Sequence, residues 1–129
     1  MPMSSGSSTS FLDLDDFTQG YVTCMLWAES DDEGVPLDKN YDFDDFTPEL
    51  RATVLNDCAR FQHDNADDIK DRKSLAGHDF WLTRNGHGSG FWDGDWPEAG
   101  DRLTEASKAY GEFDLYVGDD GVIYGYPPP

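Results

Sequence analysis

Residues 77–96 concentrate the side chains best suited to chemistry. This segment holds two of the three histidines, three of the four tryptophans and three aspartates. Imidazole and carboxylate groups bind metals such as zinc, and they carry protons in general acid–base catalysis. A small metal-dependent hydrolase would be built on His78, Asp79, His87, Asp93 and Asp95.

The spacing of these side chains matches no established metal-binding pattern. The local pattern instead predicts a strand over residues 80–83, a tight turn at 85–86 and a partner strand at 91–92. Adjacent strand residues such as His78 and Asp79 point to opposite faces and do not converge. We therefore interpret the segment as a hairpin whose aromatic side chains fill the core, and keep the hydrolase as the alternative. No catalytic residue and no cofactor are assigned.

A second candidate is a spacing that resembles a calcium-binding loop. Asp38, Asn40, Asp42 and Glu49 stand at positions 1, 3, 5 and 12 of such a loop. However, Phe43 occupies the sixth position, where the sharp turn requires glycine, and a proline falls inside the loop. Aspartate is also so abundant that chance matches are expected. No metal site is therefore assigned.

The strongest chemical signal is charge. The chain has 27 acidic residues, 21 of them aspartate, against nine Lys and Arg, for a net charge of −18. Residues 13–49 alone hold twelve acids and one base, so one face or one end should be far more negative than the rest. Such a surface repels nucleic acid, anionic lipid and acidic substrates, and it attracts basic surfaces and cations.

An acid-rich surface can imitate nucleic acid. Carboxylates three or four residues apart on a helix are neighbours, and a row of them is comparable in pitch to a line of phosphates. Such a row can occupy the groove of a DNA-binding protein, and exposed aromatic rings would add apolar anchors. The same composition would also serve a merely solvated surface. The predicted partner-binding residues are Asp13, Asp15, Asp16, Asp31, Asp32, Glu33, Asp38, Asp42, Phe43, Asp44, Asp45 and Phe46.

Three helices are predicted from apolar residues at helical spacing. The first is capped by Thr9 or Ser10 and ends near Ala28. The second begins at Thr47, where a hydroxyl cap is followed by proline and an acid. A short third helix covers about 98–110.

The remaining pattern predicts strands. Apolar and polar residues alternate over 113–117 and resume over 122–126 after an Asp-Asp-Gly turn, which is typical of a hairpin. Together with the hairpin of residues 80–92, this predicts an α+β fold. An antiparallel sheet of three to four strands (two hairpins) would pack against two or three helices.

The composition favours one folded domain. With 37% hydrophobic and 14% aromatic residues, the chain is too apolar for a disordered acidic tail. We predict a disordered segment over 1–9, a single acidic α+β domain over 10–126 and a short proline tail over 127–129. Cys24 and Cys58 fall at apolar helical positions, which predicts free buried thiols in a reducing cytoplasm. No segment suits a membrane span or a secretion signal.

Two sequence blocks resemble a known group of proteins. AGHDFWLTRNGHGSGFWD (76–93) and YGEFDLYVGDDGVIYG (110–125) are similar to a widespread family of small acidic proteins of unknown function from tailed-phage and prophage genomes. The resemblance extends to Leu26-Trp27 and to residues 31–34 and 41–49, and so covers most of the chain. It brings no catalytic residues. It implies the cytoplasm of an infected bacterium, where small acidic phage proteins often resemble DNA mimics that block nucleases, restriction or CRISPR complexes, repair enzymes or nucleoid proteins.

The sequence therefore predicts a non-catalytic acidic phage protein that binds a basic host protein surface. It would act as a DNA mimic that inhibits a DNA-binding or defence protein. No cofactor, nucleic acid or membrane is expected as a partner. A phage assembly or accessory protein with a merely solvated surface stays open as an alternative. A homodimer also stays open, because four aromatic residues suit either a core or a dimer interface: Trp92, Trp96, Tyr110 and Tyr116.

Overall fold

The protein has a mixed α and β structure that is mostly helical. The computed structural model describes residues 10–86, 90–91 and 96–126. One-turn 3-10 helices lie in the connections at Phe11–Asp13, Leu37–Lys39 and Phe43–Asp45. The helices and strands of the described ranges are α1 (Asp16–Ala28), α2 (Pro48–Asp64), α3 (Ala66–Ile69), α4 (Lys73–Arg84), α5 (Gly100–Lys108), β1 (Asp114–Val117) and β2 (Ile123–Tyr126).

Side-chain caps fix where α1 and α2 begin. The Asp15 carboxylate accepts a hydrogen bond from the Thr18 amide at 2.9 Å and caps α1, so this helix begins later than predicted. Ser10 instead precedes the 3-10 turn at Phe11–Asp13, and Thr9 lies outside the described residues. α2 begins as predicted, because the Thr47 hydroxyl accepts the Leu50 amide at 3.0 Å.

The strand predicted over residues 80–83 is wrong, because Lys73–Arg84 is a helix. Phe80 and Trp81 are fully buried and Leu82 is 4% exposed, so this part of α4 has no polar stripe to distinguish it from a buried strand. Residues 85–86 end the helix instead of turning a hairpin. Gly86 has φ +69°, the left-handed conformation common just after a helix. Trp92, in the predicted partner strand, lies outside the described residues.

The predicted second hairpin is confirmed. β1 and β2 pair antiparallel with Tyr116 opposite Tyr124 and Val117 opposite Ile123. In the described ranges they form a two-stranded sheet, and the expected three to four strands are not found because the first hairpin is replaced by α4. Ile123 also forms a parallel bridge to Phe46, which joins the hairpin to the start of α2.

α1 and α4 cross in direct backbone contact through two glycines. A Cβ atom on Gly77 would overlap the carbonyl oxygen of Phe17, and one on Gly20 would overlap that of Ser74. Only glycine leaves room for this approach. The crossing brings Phe80 and Trp81 of α4 against Phe17 and Tyr21 of α1 in the core.

The core is largely aromatic. Phe61 stacks on Phe80 with ring centroids 4.2 Å apart, and Phe91 extends the stack. Trp96 is 6% exposed and meets Phe91 edge-on, so it belongs to the core and not to a dimer interface. Tyr110 packs half-buried against the same cluster. None of the helices in the described ranges is both long and apolar enough to cross a membrane.

A buried arginine joins the helices on one side of this core. Arg84 is 6% exposed, and its guanidinium donates hydrogen bonds to the Tyr21 hydroxyl at 3.0 Å and the Asp57 carboxylate at 2.9 Å. It also donates to the carbonyls of Tyr110 and Gly111 at 3.0 and 2.9 Å. One side chain therefore connects α1, α2, α4 and the chain that follows α5.

Both cysteines are free and fully buried, as predicted. Burial raises the pKa of the Cys24 thiol to about 12, and it raises the pKa of Cys58 well above its usual value. Burial also raises the pKa of the Tyr21 phenol. The folded state therefore requires all three groups to stay protonated.

Alkaline pH should unfold this protein. A pKa raised by folding contributes stability that is complete below the unfolded-state pKa, about 8.5 for cysteine, and is lost as the pH rises above it. Two thiols together should lower the free energy of unfolding by about 3 kcal/mol per pH unit between about pH 9 and 10. Urea unfolding over this range measures the slope. A Cys24→Ala, Cys58→Ala variant should show a flatter dependence, and a wild type equally stable at about pH 8 and about pH 10 would contradict the assignment.

Candidate functional site

The predicted partner-binding acids fall into two groups at opposite ends of α1. Asp13, Asp15 and Asp16 lie at its start, and the others follow its end. α1 has 13 residues and so spans about 20 Å. The structure therefore does not bring all of these acids onto one continuous surface.

α1 and α2 run antiparallel, which separates the two groups. Asp15, at the start of α1, accepts a hydrogen bond at 3.1 Å from Gln62, near the end of α2. Tyr21, further along α1, meets Asp57, earlier in α2, through Arg84. The connection from α1 to α2 consequently lies at the far end from Asp15.

Eight of the 18 net negative charges lie in this connection. Residues 29–49, here called the acidic connection, hold nine acids and one base. Local hydrogen bonds fold the segment against the end of α1: the Leu37 amide donates to the Glu29 carbonyl at 2.9 Å, and the Asp31 amide to the Val35 carbonyl at 2.9 Å. The acids are thus held on an ordered scaffold.

The tip of the β1–β2 hairpin adds two further acids. The bridge between Phe46 and Ile123 is parallel, and the Thr47 amide donates to the Ile123 carbonyl at 3.0 Å. This isolated contact joins the start of β2 to the acidic connection, and Asp119 and Asp120 precede Ile123 by four and three residues. We call the acidic connection and these two aspartates the acidic end. The sequence marked Asp119 and Asp120 only as a turn, since nothing local reveals the long-range bridge.

Five of the predicted acids shape the backbone around them. The Asp31 carboxylate accepts the amides of Glu33 and Val35 at 2.9 and 3.0 Å. Asp42 and Asp45 form a capping box around Phe43–Asp45: the Asp45 carboxylate accepts the Asp42 amide at 2.9 Å, and the Asp42 carboxylate also accepts the Asp44 amide at 2.9 Å. At the other end of α1, Asp13 forms a capping box with Ser10, and Asp15 caps the helix. These carboxylates are partly committed to the fold.

The cap at Asp15 perturbs its acidity. Partial burial would raise the pKa of this carboxyl, but hydrogen bonds from Thr18 and Gln62 outweigh burial and lower the pKa below its usual value. A depressed carboxyl pKa stabilises the fold above the unfolded-state value and loses that contribution as the pH falls through the folded-state value. Asp15 is therefore a structural acid as well as a charged one.

The other predicted acids are available to a partner. Their side chains are exposed, and within the described ranges they form no ion pair or side-chain hydrogen bond. Carboxylates in this state keep their full hydration until a cation displaces it. They are Asp16, Asp32, Glu33, Asp38 and Asp44.

The predicted aromatic anchors are wrong. Phe43 and Phe46 are 1% and 2% exposed, with ring centroids 5.2 Å apart. They are three residues apart along a 3-10 turn, so both rings lie on the same side and enter the core. Among the side chains that the structure describes, the large exposed aromatic ones are instead Trp27, 59% exposed at the end of α1, and Tyr116, 48% exposed on the hairpin.

The hydrolase alternative gains no assembled site. His78 Nδ1 lies 3.5 Å from Asp79 Oδ1, so the two are neighbours on a helix and do not point apart as they would on a strand. Asp79 is 3% exposed and accepts the Trp96 indole N–H at 2.8 Å, a structural contact. His87, Asp93 and Asp95 lie outside the described residues. Across the described ranges, no three His, Cys, Asp or Glu side chains are placed to hold a metal ion, including those of the calcium-like spacing.

Structural contacts account for the conspicuous block around residues 77–86. Thr83 accepts the Phe91 amide at 3.1 Å through its hydroxyl. Asn85 accepts the Phe113 amide at 2.7 Å and donates to the Trp81 carbonyl at 3.1 Å. Together with the helix crossing at Gly77 and the buried hydrogen bonds of Arg84, these contacts give residues 77–86 a structural role.

The acidic end carries exposed carboxylates on an ordered backbone, and Trp27 at the end of α1 and Tyr116 on β1 expose aromatic rings on the adjoining elements. Carboxylates attract cationic groups, and aromatic faces add contact area and cation–π attraction. This arrangement suits non-covalent binding of a basic surface. Compared with protein-family models, curated proteins and solved structures, the chain matches none.

Proposed function

We propose that this protein binds a basic surface of another protein through its acidic end. The supporting observation is the set of exposed carboxylates at Asp32, Glu33, Asp38 and Asp44, which have no ion pair in the part of the chain that the structure describes. A surface with nine acids and one base in 21 consecutive residues creates a strong negative potential. A basic partner relieves this repulsion on binding.

The basic surface is proposed to be one that otherwise takes nucleic acid. The acidic connection contacts the start of β2 at Phe46 and Ile123, so two segments of the chain contribute carboxylates to this end of the molecule. A partner would gain the counterion release and steering that it normally gains from DNA. The protein would then act as a DNA mimic that inhibits a host DNA-binding or defence protein in an infected bacterial cytoplasm, the setting implied by the resemblance to phage proteins.

Neutralising four exposed acids of the acidic end should weaken partner binding with little effect on folding. The connection variant carries Asp32→Asn, Glu33→Gln, Asp38→Asn and Asp44→Asn, which spare the capping acids. Four exposed charges at about 0.5 kcal/mol each should weaken binding by at least about tenfold. The salt dependence should also become shallower. The measurement is the affinity of each variant, over a range of salt concentrations, for a protein that the wild type captures. It tests the loss of affinity and the shallower salt dependence together.

A matched variant separates position from net charge. The distal variant carries Asp67→Asn, Asp71→Asn, Asp101→Asn and Glu105→Gln, which also removes three aspartates and one glutamate. These side chains are exposed on α3, on the connection to α4 and on α5, away from the acidic end. It should bind nearly as wild type does. Equal losses of partner affinity in the two variants would mean that net charge alone attracts the partner. The proposed site would then be abandoned.

A further inference from the structure

We infer that the groove beside the stacked tyrosines of the hairpin holds an arginine side chain of the basic partner. This inference rests on the proposed function and names the group that the acidic end recognises. The groove has a volume of about 330 Å³. It is lined by Thr47, Glu49, Leu50, Phe113, Tyr116, Tyr124 and Gly125.

The groove offers an aromatic wall. The rings of Tyr116 and Tyr124 stack with centroids 5.2 Å apart and planes 9° apart. Tyr116 is 48% exposed, so part of its ring is open to a ligand. A planar guanidinium stacks on such a face, and an ammonium does so less well.

A hydrogen bond fixes the aromatic wall and its charge. The Tyr124 hydroxyl donates to the Asp120 carboxylate at 2.7 Å. This bond raises the pKa of Tyr124 and lowers the pKa of Asp120, with further help from the Val122 amide. The phenol therefore stays neutral and the carboxylate stays ionised, which holds a negative charge at one end of the tyrosine pair.

The rest of the groove lining is largely apolar and includes one carboxylate. Leu50 and Phe113 are buried beneath the groove and suit the methylene stem of a long side chain. Glu49 is exposed at the groove, where it can accept hydrogen bonds from a guanidinium, and none of the lining residues is basic. A neutral apolar peptide would desolvate Glu49 without compensation, and a second copy of this chain would bring another −18 of charge.

Peptide binding tests the pocket. The probes are octa-arginine and octa-lysine peptides, with dissociation constants measured by calorimetry at low salt. Wild type should prefer octa-arginine. Tyr116→Leu should lower octa-arginine affinity by roughly two- to fivefold and reduce the preference without a change in charge. Glu49→Gln, an exposed substitution with little risk to folding, should also reduce the preference.

Two matched variants serve as controls. Trp27→Leu removes another highly exposed aromatic ring of the described residues, and Glu105→Gln removes an exposed charge of α5. Both should leave the arginine preference unchanged. If Tyr116→Leu and Glu49→Gln also leave the arginine preference unchanged, the groove does not hold an arginine side chain. Salt-sensitive peptide binding would then still support the proposed function. If neither peptide binds wild type at low salt, the proposed function itself is overturned.

Discussion

Gly77→Ala should prevent the protein from folding or lower its melting temperature by more than about 15 °C, at about 4 °C per kcal/mol for a domain of this size. Alanine normally favours a helix over glycine by about 1 kcal/mol. Here the new Cβ would overlap the carbonyl oxygen of Phe17, and a backbone atom cannot rotate away as a side chain can. α1 and α4 would have to separate, which opens the aromatic core on both sides. The cost should exceed the usual 1–3 kcal/mol of an overpacked core.

Thermal unfolding followed by circular dichroism measures this effect, and Gly34→Ala provides the control. Gly34 has φ +83° and no atom within 4 Å of an added Cβ, so alanine there should cost only about 1–2 kcal/mol of backbone strain. Gly20→Ala should reproduce the large loss, because its Cβ would meet Ser74 on the other side of the same crossing. An unchanged or higher melting temperature for Gly77→Ala would show that the two helices do not cross as described.

Arg84→Met should lower the free energy of unfolding by about 3–5 kcal/mol. Methionine fills a similar volume but donates no hydrogen bond. Asp57, which is 16% exposed, would remain as a partly buried, unpaired charge, and the Tyr21 hydroxyl and two carbonyls would also lose their donor. The penalty is large because the Tyr21 hydroxyl stays buried and the Asp57 carboxylate loses its ion pair when the cation is removed.

Arg60→Met is the matched control for this substitution. The guanidinium carbons of Arg60 and Arg84 lie 5.7 and 5.6 Å from the centroid of the same Tyr110 ring, but Arg60 is exposed. Its loss should cost less than about 1 kcal/mol. Chemical denaturation of both variants gives the comparison. Similar costs would mean that Arg84 acts only through the ring and not through its buried hydrogen bonds.

The elements with strong local signals could be predicted from the sequence. Thr47 and Pro48 place the start of α2 because a hydroxyl cap and a fixed φ act within one turn. The Asp-Asp-Gly turn and the alternation around it likewise define the β1–β2 hairpin. These features depend on neighbours along the chain, so no tertiary information is needed.

α4 could not be recognised in this way. Its second half is buried on nearly every side, so Phe80 and Trp81 show neither a helical stripe nor an alternation. Its start also lacks a side-chain hydrogen-bond cap. What determines the helix is the glycine contact with α1, between residues about 60 positions apart.

The candidate site shows the same division. Charge can be read from the sequence, and the acidic connection lies where the charge count predicts. The sequence did not indicate the 3-10 turn at Phe43–Asp45. This turn decides whether a phenylalanine beside those acids is an exposed anchor or a core residue. The stacked tyrosines come near the acids through long-range contacts, which include the bridge from Phe46 to Ile123.

The most direct test of the proposed function is capture of partners from bacterial lysate by the wild-type protein, with elution by duplex DNA and identification by mass spectrometry. A column carrying the connection variant, run in parallel, reports capture that does not need the acidic end. We predict one or a few nucleic-acid-binding proteins that duplex DNA displaces from wild type and that the connection variant does not retain. Proteins that duplex DNA cannot displace, or that both columns retain equally, would contradict binding through a DNA-like acidic end.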